Sequence, residues 1–479
     1  MIDTSVIEPS FIEVWVGTIN GYLWGSILIY LLSACGIWFT FRLKGIQFTR
    51  FFHMFSILKS SRKSSSQGIS SFQALCTSLA ARVGTGNLMG VAVAISLGGA
   101  GAVFWMWLIA LVGMATGFAE SALGQLYKEK DSNGNFRGGP AYYMSKGLKN
   151  RKLAITFSLC LFFGYGFVFS AVQANSISDA FNGSYGINPL YTGIFIAIAA
   201  GVIILGGMRN IARFAELTVP FMGLMYLLVC LFVIALNIET IPSIIADIFT
   251  SAFGLTEAGS GLVGAAIVQG VKRGLYSNEA GMGSSPNAAA AAEPFPPHPV
   301  SQGYIQMLAV FFDTIVICSC TAFLILLFQQ GGTNQAQGIQ LTQQALAFQV
   351  GGWGSDFITI AILLFAFTSI VANFAYADNN LKYLNLDNIY GRWFLRAGFL
   401  IMLVFGSVAT LPEVIALADL STGLMTVFNV TALFMLSKVV VAITKNYHQQ
   451  HEQGKLPTYQ PDENEQQEFN LTQGIWNKK

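Results

Sequence analysis

Two glycine-rich polar runs interrupt long apolar stretches of this chain: Val83-Gly84-Thr85-Gly86-Asn87 and Asn278-Glu279-Ala280-Gly281-Met282-Gly283-Ser284-Ser285-Pro286. A bilayer offers backbone groups no water, so non-helical backbone at membrane depth is tolerated only where it lines a cavity or is buried in protein. A helix that stops and restarts at Thr85-Gly86-Asn87 exposes free N–H groups and a positive dipole end on its restarted half, which suit a carboxylate. Its interrupted first half exposes carbonyls, hard-oxygen ligands for a small cation. Across from it, Tyr276, Asn278, Gly281 and Met282 of the second run could shape a pocket wall. Bare carbonyls there could accept hydrogen bonds from an ammonium. One site would then hold both ends of a zwitterion.

Other side chains could complete such a site. Thr368 and Ser369 sit together in an apolar run. Adjacent hydroxyls in a membrane helix commonly bond back to their own backbone; facing the first broken helix, they could instead finish an oxygen-only sodium site. Gln173 and Asn175 are candidate pocket groups, or helix–helix hydrogen bonds. Ionisable residues inside apolar runs are functional candidates by default: Arg82, Glu120, Asp179, Lys272, Arg273, Glu279, Asp313 and Asp378. Arg82 precedes the first break, and Lys272, Arg273 and Glu279 flank the second. Their pairing, whether it gates or merely packs, is not written in one sequence.

The elements that carry these residues are membrane spans. Hydrophobic residues make up 53% of the chain and charged ones 10%, well below the roughly 25% charged of a soluble domain. Apolar runs of about 20 residues, the length of a bilayer crossing, recur as eleven expected spans near 20–41, 71–97, 101–127, 153–182, 189–207, 210–237, 256–292, 300–330, 353–379, 390–410 and 412–444. The expected fold is an all-α polytopic membrane protein. The tail after Tyr447 is polar and proline-containing and reads as disordered. The six cysteines form no CxxC pair or Cys/His cluster, so they read as packing residues, and all four histidines fall outside the spans. The acidic N-terminus lacks a basic n-region, so no cleavable signal peptide is expected.

Charge asymmetry sets the expected orientation. Residues 42–70 carry Arg42, Lys44, Arg50, Lys59, Arg62 and Lys63 without an acid; residues 128–152 carry seven further Lys and Arg, and Arg209 and Arg213 follow on the same side. The acidic N-terminus lies opposite, with Glu239, Asp247 and the uncharged segment 331–352. An odd number of spans then puts the N-terminus outside and the C-terminus in the cytoplasm of a plasma (inner) membrane. Setting the first span aside leaves ten, each half of which begins with a glycine-broken helix in opposite direction, as in transporters that alternate access around a central site. The expected layout is an N-terminal helix and basic loop (1–70), a first inverted repeat (71–237), a second (238–447) and a polar cytoplasmic tail (448–479). Isolated glycines such as Gly201 and Gly264 read as packing positions.

Three segments carry a resemblance to a known family: GTGNLMGVAVAISLGGAGAVFWMW (84–107), GFAE with YKEKDSNGNFRGGPAYYM (127–144), and GVKRGLYSNEAGMGSSPNAAAAA (270–292). They resemble the hallmark segments of the alanine or glycine:cation symporter family, and the likeness extends over about residues 15 to 445. The resemblance implies a five-plus-five inverted repeat of the leucine-transporter type with one extra N-terminal helix. It implies uptake of a small neutral amino acid with sodium, with no cofactor and no nucleic-acid partner, by a protein that functions as a monomer. Sodium would be held by the carbonyls of Ala80, Val83 and Phe365 and the hydroxyls of Thr368 and Ser369. Substrate would touch Thr85, Gly86, Asn87, Gln173, Tyr276 and Met282. Asn373, in FAFTSIVANFAY, departs from the pattern, since some family members carry tryptophan there. A larger substrate such as glutamine then becomes the alternative. A channel would need a continuous polar path and an enzyme a nucleophile–base pair or a metal motif such as HExxH; neither pattern is present.

Overall fold

The apolar runs fold as helices because that geometry satisfies every backbone group within the segment. The computed structural model describes residues 11–61, 68–131, 134–205, 207–254, 261–331 and 336–476. Among these, eight helices are long and apolar enough to cross a membrane, and Ser71–Arg82 with Gly86–Gly98 forms a ninth, bent by 50° at its break. The two remaining expected spans are a short helix, Pro189–Ile204, and a broken one, Gly261–Asn278 with Ser285–Ala291. Arg62 and Lys63 lie outside the described residues.

Local chemistry sets these boundaries. Ser70 and Gln73 form a reciprocal capping box, each side chain taking the other's backbone N–H at 3.0 Å, which starts the first broken helix. Val83, at ψ 86°, stops it. In the second broken helix, Glu279, Gly281 and Gly283 all have positive φ (55°, 91° and 85°), so the chain turns sharply there. Pro286 then opens the restarted half, where its missing N–H costs nothing.

Helix Gly101–Leu126 runs through the core, packed on both broken helices and buried along most of its length. The N-terminal helix, Trp15–Arg42, packs one face on helix Gly101–Leu126 and is tied to helix Leu411–Met435: Asn20 Nδ2 donates to Ala416 O at 2.9 Å and Trp24 Nε1 to Asp419 O at 3.1 Å. Outward faces stay apolar, as with Leu217 (79% exposed) and Phe221 (62%), which water would disfavour and lipid accepts.

Two expectations need correction. The span expected over 412–444 ends at Met435; the chain turns at Leu436 and continues as Ser437–Glu452. The tail is also ordered through Trp476. Tyr459 N–H donates to Pro297 O at 3.0 Å, Trp476 Nε1 donates to Leu126 O at 3.0 Å, and both rings are buried. Lys128, buried and pushed down to about 7 by desolvation, sits over the Phe136 and Trp476 rings and donates to Ala292 O. Polar ties add to these aromatic anchors: Asn470 Nδ2 donates to Lys146 O at 3.2 Å, and Thr458 N–H donates to Gln450 Oε1 at 2.9 Å.

At the same end of the bundle all four histidines gather. His53 Nε2 is 3.0 Å from Tyr447 OH, His448 Nε2 is 2.6 Å from Tyr304 OH, and the His53 and His451 rings lie 4.5 Å apart. His298 caps helix Pro299–Val310 through Nδ1.

Candidate functional site

The first break is held open by its own side chains. Gly84 N–H would ordinarily bond to the Ala80 carbonyl; it donates instead to Asn87 Oδ1 at 3.0 Å. The freed Ala80 carbonyl accepts Ser369 Oγ at 2.7 Å, from helix Trp353–Tyr383. Ser369 also bonds back to Phe365 O (3.0 Å), as does Thr368 (2.9 Å). Four of the five expected sodium ligands (Ala80, Phe365, Thr368 and Ser369) are thus joined by hydrogen bonds, and Val83 ends the same helix. The set is hydroxyls and carbonyls only, which fits a hard monovalent cation.

Beyond the break, Thr85 N–H donates to Gln173 Oε1 at 3.1 Å, and Thr85 Oγ1 lies 3.3 Å from Tyr276 OH. Thr85, Gln173 and Tyr276 therefore converge, and the exposed N–H already faces an oxygen acceptor. Asn373 is one helical turn after Ser369 on the same face. It is buried, and neither its amide nitrogen nor its oxygen has a protein partner. A buried amide that bonds nothing is costly, by about 1–3 kcal/mol per unsatisfied group.

Several expected substrate contacts do different work. Asn87 is fully committed: Nδ2 donates to Asp313 Oδ1 (2.8 Å) and Ser277 Oγ (3.2 Å), while Oδ1 holds Gly84. A Cβ on Gly86 would lie 3.0 Å from Ser277 Cα, so Gly86 allows two helices to approach rather than clearing space for substrate. The close approach at the site belongs to Gly84, where a Cβ would collide with Ser369 Oγ and lie 2.8 Å from Gln173 Oε1. Gly281 faces Thr116, Leu32 and Val430, and its carbonyl accepts Asn429 Nδ2 at 3.0 Å, so it shapes the second turn. Asn278 Oδ1 accepts Ala280 N–H within that turn while its buried Nδ2 has no protein partner, and Met282 is buried there. Asn175 is a helix–helix tie to Gly406 O and Ala409 O.

The intramembrane charges sort as follows. Arg273 Nη2 bonds both oxygens of Asp419 (2.6 and 2.7 Å), and Lys272 Nζ stands 3.5 Å from the same carboxylate. Asp419 is not among the ionisable residues singled out from the sequence, although an acid within an apolar run is the signal that would have found it. Asp179 pairs with Gln340, and Asp378 with Lys382. Arg82 bonds Ser285 Oγ and Gln306 O. It makes no ion pair among the described residues, so no direct Arg82–Glu279 pair closes the site.

The chain as a whole has counterparts in known proteins. The profile described as the sodium:alanine symporter family matches residues 9–461. The chain belongs to the sodium:alanine symporter family. It is a multi-pass helical membrane protein of a transporter family. It is 47% identical over 448 residues to the uncharacterized transporter YaaJ of Escherichia coli (92% of this chain, 94% of that protein). It is also 47% identical over 452 residues to GlnT of Bacillus subtilis, named a probable sodium/glutamine symporter (93% of each). The fold resembles that of MhsT, solved in complex with L-phenylalanine, with a TM-score of 0.56 at 13% identity over 86% of this chain and 95% of that one.

Proposed function

We propose that this protein is a sodium-coupled symporter that imports a small neutral amino acid, alanine or glycine, by alternating access. The observation that carries this reading is the Ser369–Ala80 hydrogen bond, 2.7 Å long, beside the Thr85 N–H. It brings cation-type oxygens and an anion-type N–H to one helix break. In this reading sodium enters among Ala80, Val83, Phe365, Thr368 and Ser369 and replaces the direct hydroxyl–carbonyl bond. The substrate carboxylate takes the Thr85 N–H from Gln173. Tyr276 then borders the substrate, and Asn373 faces its side chain. Sodium and substrate stabilise one arrangement of the break, so each raises the other's affinity.

Transport follows if residues 71–237 and 238–447 rock as inverted repeats about that centre. The Arg273–Asp419 pair closes one side of the pathway and the ordered tail covers the other. The protein works as a monomer in the plasma (inner) membrane, with its N-terminus outside and its C-terminus in the cytoplasm.

Glutamine is the second reading. The unpartnered Asn373 amide favours it, because such a group can bond a substrate amide, and a relative of similar length carries that substrate in its name.

Uptake of labelled alanine into proteoliposomes tests the proposal. Thr368→Ala with Ser369→Ala should abolish sodium stimulation while the protein still elutes as a folded species in detergent. Uptake driven by a pH gradient in the complete absence of sodium would reject the sodium site.

A further inference from the structure

Three buried carboxylates, Glu120, Glu279 and Asp313, lie in the core beside a single cation, Arg82, whose field reaches all three. None of the three forms an ion pair among the described residues. Buried charge without a partner is unfavourable in a low-dielectric interior, so this group cannot carry three full negative charges against one positive. Protons or other cations must make up the difference.

The three acids differ in their surroundings. Glu120 Oε2 is fixed by Gly283 N–H (3.1 Å) and Asn429 Nδ2 (2.8 Å), and Glu279 Oε2 accepts Ser284 Oγ (2.6 Å). Both carboxylates are hydrogen-bonded to groups of the second helix break, Glu120 from helix Gly101–Leu126 and Glu279 from the break itself. Asp313 lies in a π-helical stretch, Phe311–Cys318, and is fully buried. It accepts Asn87 Nδ2 (2.8 Å), Ser277 Oγ (2.6 Å) and Thr314 Oγ1 (2.9 Å). Asn87 in turn holds Gly84 N–H and so maintains the first break. Of the three carboxylates, Asp313 is the one hydrogen-bonded to that break.

Its surroundings also accept one proton more or one fewer. Ser277 Oγ lies 2.6 Å from Asp313 Oδ2 and 3.1 Å from Cys318 Sγ. With Asp313 ionised, the Ser277 hydroxyl donates to the carboxylate. With Asp313 protonated, the acid O–H donates to Ser277 Oγ, whose hydroxyl turns to Cys318 Sγ. No hydrogen bond is lost in either state. The other titratable or charged groups around Asp313 are Cys318 on its own helix, Arg82 on the first broken helix and Glu279 at the second break.

We propose that Asp313 is a proton-binding site that loads and unloads during the transport cycle, coupled to the substrate site through Asn87 and Gly84. The inference rests on the symport reading above. Protonation weakens the Asp313–Asn87 bond, because a neutral acid is a poorer acceptor than a carboxylate. Asn87 then holds Gly84 less firmly, which biases the break towards the arrangement that releases its ligands.

Proteoliposomes with trapped pyranine and a fixed, saturating sodium gradient test it. Wild-type protein should alkalinise the lumen on addition of alanine, because a proton that loads as the ligands leave is carried opposite to them, and its sodium-driven uptake should change several-fold between about pH 5.5 and 8.5. Asp313→Asn should remove both the alkalinisation and the pH dependence. If that variant fails to fold, Ser277→Ala removes the alternating hydroxyl and should displace the midpoint of the pH profile. An Asp313→Asn profile superimposable on wild type overturns the proposal. So does a fall in the ²²Na-to-alanine flux ratio at unchanged pH dependence, which would mean that Asp313 holds sodium. Loss of all sodium dependence in wild type would instead reject the symport reading and leave the proton signal to be judged alone.

Discussion

Ser369 Oγ donates to the Ala80 carbonyl at 2.7 Å, a bond between residues 289 positions apart. It exists because Asn87 supplies Gly84 N–H with a side-chain acceptor at 3.0 Å, freeing Ala80 from its own helix. A gap in one helix thereby becomes a ligand for another.

Gly84 should tolerate no side chain. Its Cβ would enter the space of Ser369 Oγ and Gln173 Oε1, and neither group can withdraw without losing its bond to the break. Overpacking of this kind costs about 1–3 kcal/mol. Gly84→Ala should therefore raise the sodium concentration for half-maximal uptake by about tenfold or more. Gly201→Ala, where the nearest atoms of Leu400 are 3.8 Å away, should behave as wild type. Equal sodium curves for both variants would remove Gly84 from the site.

Asn373 should set substrate size. Asn373→Trp removes pocket volume and an amide that has no protein partner. Losing one buried hydrogen bond to substrate costs about 1–3 kcal/mol, or roughly ten- to a hundredfold in affinity. Competition against labelled alanine uptake should show glutamine losing potency by that factor while glycine and alanine keep theirs. An unchanged glutamine-to-alanine ratio would mean that Asn373 only ties helices together.

Arg273 and Asp419 form a buried ion pair, with side chains 3% and 10% exposed. Removing one partner of a buried pair costs about 3–5 kcal/mol where the other is left unpaired. Arg273→Gln leaves Asp419 only the longer 3.5 Å contact with Lys272 and should lower the melting temperature in detergent. Adding Asp419→Asn should recover part of that loss, because the under-paired carboxylate is gone. A double variant as unstable as the sum of both singles would show that the pair's charges are not coupled.

The histidine cluster should make the protein acid-labile. Burial holds His53 and His448 down at about 4 and His298 at about 3, against roughly 6.5 for a free imidazole. As pH falls through about 6.5 the unfolded chain takes up protons that the folded cluster refuses until about pH 4. Stability is thus fully present above pH 6.5 and is lost as pH falls from there towards 4. Melting temperature should decline across that window, and His448→Gln should flatten the decline. A pH-independent melting temperature would place these imidazoles in water.

The apolar spans and the two helix breaks were legible in the sequence. Each follows from short-range facts: a run of apolar residues long enough for a bilayer folds as a helix, and a polar glycine-rich run inside it must line a cavity or lie buried. Thr85 and Tyr276 were candidates through their place at those breaks, and Thr368 and Ser369 as adjacent hydroxyls in an apolar run. What Gly86 and Asn87 do was not legible, because their partners, Ser277 and Asp313, come from helices some 190 and 226 residues away. The same holds for Gly84 against Ser369, Arg273 against Asp419 and the four gathered histidines. The tail reads as disordered because aromatic anchors such as Tyr459 and Trp476 are too few to register in composition. They order the segment by meeting Pro297 and Leu126, carbonyls presented by other parts of the fold. Residue type reveals what a group can bond; only the packed chain brings it the group that it bonds.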